Sequence, residues 1–186
     1  MAHPWHDVDP GGNVEELFFS VIEISKGSKN KYELDKKTGL LMADRVLYSA
    51  VHYPANYGFI PRSYCDDGDP LDVLVLCQEP LSPMCIVACK AIGMMSMRDE
   101  KGQDDKILAV HATDPAYNAY DDISALPRHV INELQRFFLD YKVLEHKEVV
   151  VEDFRGRIDA VNTIRDSLRL YRECLPDIRK GETDGR

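Results

Sequence analysis

Asp66-Asp67-Gly68-Asp69-Pro70-Leu71-Asp72-Val73-Leu74-Val75-Leu76-Cys77 passes without a break from an acidic turn into an apolar run. Gly68 and Pro70 are turn formers, and Asp commonly accompanies them. Asp72 to Cys77 has the length and β-branched content of a buried strand. Turn chemistry accounts for Gly68, Pro70 and one Asp, but it leaves Asp67, Asp69 and Asp72 clustered at the mouth of that strand. Like charges this close raise one another's pKa values and repel unless a cation lies between them, and hard divalent ions such as Mg²⁺ take carboxylate oxygens. The cluster is therefore a candidate metal site. It is not an EF-hand, whose Gly and Glu positions have no counterpart in a segment that turns at once into strand.

Outward from this stretch, the first part of the chain reads as short strands and turns. Leu17 to Ile24 is a nearly continuous apolar run interrupted by Glu23, and Lys31 to Asp35 alternates polar with apolar residues. Leu40 to Tyr48, Ile86 to Met95 and Lys106 to Val110 are strand-like, the last two joined by the turn-rich segment Arg98 to Gln103. Frequent short strands suggest a small closed barrel. The period then changes. Val130, Leu134, Phe137, Phe138 and Tyr141 make one apolar helix face after Pro127, and Val161, Ile164, Leu168 and Leu175 make a second that Pro176 should end. The α+β chain divides into no further domains: residues 1–186 are one unit with a core at 16–175, an N-terminal arm at 1–15 and a charged tail at 179–186 expected to be disordered.

Composition limits the partners. A net charge of −9 argues against nucleic acid, which is bound by clustered Lys and Arg. No run approaches a membrane span, and Met1 to Asp9 has neither a basic start nor an apolar core, so a soluble, unsignalled chain is expected. The five cysteines include no C-x-x-C pair and the six histidines no ligand spacing, which points to free thiols in a reducing compartment. Cys65 beside the acidic turn reads as an inert neighbour, because an anionic surround opposes thiolate formation.

The strand assignments place more charge where a core should be. In extended backbone Glu23 shares a face with Val21 and Phe19, Lys31 shares one with Glu33, and Asp104 shares one with Lys106, with Asp99 just across the turn. Each alone is readily a solvated strand face. Together with the acidic turn they supply what phosphoryl transfer to water requires: acids for metal ions, and cations and hydroxyls for the leaving phosphate.

Asp67-Gly68-Asp69-Pro70-Leu71-Asp72-Val73 resembles the signature of the family I soluble inorganic pyrophosphatases. Val21-Ile22-Glu23-Ile24, Lys31-Tyr32-Glu33, Asp44-Arg45, Tyr53-Pro54, Asn56-Tyr57-Gly58, Asp99, Asp104 with Lys106, and Phe137-Phe138 with Tyr141-Lys142 follow in that family's order. Ala2-His3-Pro4-Trp5-His6-Asp7 and Lys26-Gly27-Ser28 resemble its plant and algal branch. The resemblance implies an OB-like five-stranded closed barrel with additional strands and two C-terminal helices packed on it. It implies hydrolysis of inorganic pyrophosphate with Mg²⁺, about three to four ions per site, Mn²⁺ or Zn²⁺ being substitutes.

By that resemblance Asp67, Asp72 and Asp104 match ligands of a tight metal pair whose bridging water is the nucleophile, and Asp69 matches the base that takes its proton. Asp99 joins Asp104 for metal arriving with substrate, and Glu23 and Glu33 complete the acidic wall. Lys31, Arg45, Tyr57, Lys106, Tyr141 and Lys142 match the groups that hold phosphate, Tyr57 among the catalytic residues, and Tyr53 lines the cavity. A homo-oligomer is among the states the family admits. The compartment implied is the cytoplasm, or a plastid after loss of a transit peptide. Two rival readings differ in chemistry: a phosphate- or metal-binding module has no use for a base at Asp69, and a nucleotide hydrolase lacks a Gly-rich loop here.

Overall fold

Residues 18–24 are buried along almost their whole length because they have a neighbouring strand on either side. The computed structural model describes residues 2–100 and 102–183, with side chains as far as residue 178. The strands are β1 (Phe18–Ile24), β2 (Asn30–Leu34), β3 (Leu41–Val46), β4 (Asn56–Phe59), β5 (Asp72–Leu76), β6 (Ile86–Asp99), β7 (Gly102–His111) and β8 (Val150–Gly156). Helix α1 (Arg128–Asp140) lies between β7 and β8, and α2 (Arg157–Thr183) follows β8.

The main sheet runs β1-β4-β5-β7-β6-β8, and β1 pairs with β6 as well as with β4. Pairing thus passes round five strands and returns to its start, the plan of an OB-like barrel. The closing seam is short, four residue pairs joining Phe18–Val21 to Ile86–Cys89, so the ring is complete in its pairings without a full-length ladder there. Strand β6 can serve β1 at one end and both β7 and β8 at the other because its register shifts between Ala91 and Gly93. β2 and β3 form a separate hairpin.

Alternation in β5 divides the core. Val73 and Val75 pack with Phe18, Ile22, Ile107 and the Ala160, Ile164 and Leu168 face of α2. Leu74 and Leu76 face the other way, among Ile24, Leu108, Val110 and the Leu134, Phe137, Phe138 and Tyr141 face of α1. Both faces of β5 are thereby buried, which is why its sequence is a continuous apolar run with no alternation of its own. A third cluster seats the N-terminal arm: Trp5 is buried against Val21, Leu34, Phe59 and Tyr171.

Three elements depart from expectation. β4 and β8 carry no strand pattern of their own, and each exists through pairing, β4 between β1 and β5 and β8 on the free edge of β6. Helix α2 does not stop at Pro176 but continues to Thr183. Leu175 and Ile178 pack against the Trp5 cluster on either side of the proline, and that burial offsets the lost hydrogen bond. Of the tail expected to be disordered, 179–183 is helical backbone and 184–186 lies outside the described residues.

Candidate active site

The acidic loop is shaped by its own backbone. Gly68 takes φ +85°, the Asp69 N–H donates to Asp67 Oδ1 at 3.1 Å, and the Cys65 N–H donates to the Asp69 carbonyl at 2.9 Å. Ser63 Oγ accepts the Leu71 N–H at 2.8 Å and closes the loop's base. The chain then enters β5 at Asp72, and parallel pairing with β7 places Asp72 opposite Lys106. Register alone therefore brings the two together: Lys106 Nζ lies 2.7 Å from Asp72 Oδ2 and 2.8 Å from Asp104 Oδ1. The Tyr57 hydroxyl, carried by β4 on the other side of β5, donates to the same Asp72 oxygen.

Other elements complete the wall. Glu23 is the extra residue where the β1 register shifts against β4, and its Oε1 accepts the Leu34 N–H at 2.8 Å, tying β1 to the hairpin. On the hairpin, Lys31 is paired with Glu33 and lies 3.2 Å from Asp44, while Arg45 Nε donates to Glu145 Oε1 at 2.9 Å. Tyr141 and Lys142 leave the C-terminal end of α1, where a cation is favoured by the helix dipole. Tyr141 stacks on Phe137, and Lys142 Nζ lies 2.8 Å from Asp99 Oδ2.

Glu23, Lys31, Glu33, Arg45, Tyr57, Asp67, Asp69, Asp72, Asp99, Asp104, Lys106, Tyr141 and Lys142 all border one cavity of about 390 Å³. Tyr53 does not: it is buried behind the wall, edge-on to Tyr57 and packed on Phe137. Lys36, Glu100, Gln103 and Lys147 also border the cavity and were not anticipated. They occupy strand ends and connections, where no periodicity marks a face; Glu100 alone carried a signal, as the neighbour of Asp99 in an acidic turn.

The electrostatics follow from burial. Eight carboxylates face six cations around the cavity, an acidic excess in a confined space. Burial, reinforced by Asp72, pushes the Glu23 carboxyl up to about 8. Burial also raises Asp67 and Asp72, with Lys106 opposing the rise at both. Lys106 loses hydration, yet Asp104 and Asp72 more than compensate and hold its ammonium well above the ordinary range. Desolvation likewise drives the Tyr57 and Tyr141 hydroxyls up, so both stay protonated donors at neutral pH. Cys65 is raised by burial and by Asp67, in keeping with an inert thiol.

Among the described residues no three acids converge closely enough to hold an ion as they stand, since ammonium groups lie against several of them. The donor set nevertheless fits a hard cation: the acidic candidates offer oxygen, no His or Cys borders the cavity among the described residues, and burial raises the cost of charging Glu23, Asp67 and Asp72, a cost that a cation would offset.

Clustered oxygen acids opposite convergent amines, a guanidinium and phenols, on the wall of an OB-like barrel, are groups suited to metal ions and to phosphate oxygens. Residues 20–172 match the family model for inorganic pyrophosphatase. Soluble inorganic pyrophosphatase 2 of Chlamydomonas reinhardtii is 57% identical over 172 residues, covering 92% of this chain and 90% of the relative. Soluble inorganic pyrophosphatase 1 of Arabidopsis thaliana is 55% identical over 174 residues, covering 94% of this chain and 82% of the relative. The crystal structure of inorganic pyrophosphatase from Thermus thermophilus superposes with a TM-score of 0.88 at 40% identity, covering 92% of this chain and 99% of that one. The chain belongs to the inorganic pyrophosphatase family.

Proposed function

We propose that this cavity hydrolyses inorganic pyrophosphate to two orthophosphates in a Mg²⁺-dependent reaction with Asp69 as general base. Diphosphatase activity follows from family membership; the metal and the residue roles are the proposal. The observation that supports it most is the convergence of thirteen residues, from strands of both sheets, the acidic loop and the end of α1, on a single cavity.

Lys31, Arg45, Lys106 and Lys142 would hold the two phosphates, Arg45 through a planar fork suited to a pair of oxygens and the lysines as point charges. Tyr57 and Tyr141 add neutral donors. Asp67, Asp72, Asp99 and Asp104, with Glu23 and Glu33, would hold Mg²⁺, which when bound neutralises phosphate charge and makes water more acidic. Lys106, paired with Asp72 and Asp104 in this structure, would turn its ammonium to phosphate once those carboxylates served as ligands. Asp69 is exposed enough, at 37%, to reach a water on the cavity side and accept its proton. The five free thiols support a reducing compartment, the cytoplasm or a plastid.

Phosphate release should be fast from pyrophosphate with Mg²⁺ and abolished by EDTA. Asp69→Asn should reduce turnover by roughly a hundredfold to ten-thousandfold. Full activity in Asp69→Asn removes the base from the mechanism, and preferential hydrolysis of ATP over pyrophosphate removes the substrate assignment.

A further inference from the structure

Lys36 belongs to none of the groups assigned above, yet it makes contacts at the centre of the site. Its ammonium is paired with the Asp69 carboxylate and donates to the Gly68 carbonyl at 2.9 Å. It therefore grips the acidic loop at side chain and main chain together. Among the described residues it is the one cation paired with Asp69.

Lys36 is itself held by the N-terminal arm. Its carbonyl accepts a hydrogen bond from His3 Nε2 at 2.9 Å, and its ammonium sits 5.9 Å from the centre of the Trp5 ring. The buried Trp5 indole N–H donates to the Ser63 carbonyl at 2.8 Å, and Ser63 Oγ holds Leu71 on the far side of the loop. One indole thus fixes both the base of the acidic loop and the cation that reaches its tip. Gly39, in the same hairpin turn as Lys36, lies so close to the arm that a Cβ would come within 2.9 Å of Pro4 Cδ.

We propose that Lys36 is a positioning residue for Asp69, set in place by the N-terminal arm through Trp5. The inference rests on the reading of Asp69 as the base. An ion pair this exposed adds little to stability, so its consequence is orientation: it limits rotation of a carboxylate that must face the attacking water. Misplacing a reacting group by an ångström is costly in rate.

The test is kinetic, on the full chain with Mg²⁺ and pyrophosphate. Lys36→Met, which keeps the unbranched aliphatic stem and removes the charge, should lower kcat about tenfold or more with KM changed less than about twofold. Its Tm should stay within about 2 °C of the parent's. Lys36→Arg should recover most of the lost kcat. In an Asp69→Asn background, Lys36→Met should cost nothing further, because the group it orients is gone. An unchanged kcat in Lys36→Met overturns the proposal, as does an equal loss in both backgrounds. Full activity of Asp69→Asn overturns instead the reading of Asp69 on which it depends. Should Asp69→Asn fall below detection, the kcat-against-KM split and the arginine rescue decide.

Discussion

Glu23 is 8% exposed, and its carboxyl is raised from 4.5 to about 8 by burial and then by Asp72. The folded state therefore holds a proton there that the unfolded chain releases near pH 4.5. Stability from this group is fully present below pH 4.5 and declines as pH rises towards 8. Glu23→Gln keeps an oxygen for the Leu34 N–H and abolishes the titration. In EDTA, its unfolding free energy should match the parent's at pH 4.5 and exceed it at pH 9, by an amount on the order of 5 kcal/mol; an advantage independent of pH would refute this. Much of the site was legible residue by residue, because strict alternation in strands puts Asp104 beside Lys106 and Lys31 beside Glu33, and both pairs are in contact. Lys36 and Lys147 were not legible, since nothing in a turn's sequence states which way its side chains point.

The four residues of β4 form a strand because β1 and β5 supply ladders on both sides, not because Asn56-Tyr57-Gly58-Phe59 has strand periodicity. Gly58 is there for space: a Cβ would lie 2.0 Å from the Val21 carbonyl oxygen. Gly58→Ala should push β4 away from β1, costing about 3 kcal/mol or more, measurable as a lowered midpoint of urea unfolding. It should also lower activity, since Tyr57 is the residue just before it. β8 hid for a different reason, its Glu152, Asp153 and Arg155 suiting an outer edge strand that sequence alone does not separate from a polar loop. Pro176 misled in the opposite direction: local propensity ends a helix there, and tertiary burial of Ile178 continues it.

A molecule of net charge −9 with an acid-rich cavity should be stabilised by the ions it binds. At a hundred times its dissociation constant, Mg²⁺ should add about 2.7 kcal/mol, roughly 5–10 °C in Tm. Calorimetry in Mg²⁺ and in EDTA measures the gain, and Asp67→Asn should shrink it. The barrel class was legible in the frequency of strands and turns; the strand order was not, because which edges meet is decided by long-range closure and leaves no local mark. That closure has a consequence during synthesis. β1 leaves the ribosome well before either of its partners, and Ile86–Cys89, which seals its second edge, follows only after some 60 further residues. At about 5–20 residues per second the nascent chain carries a bare, sticky strand for several seconds, a window in which a holdase chaperone has a natural client and a stalled ribosome an aggregation hazard.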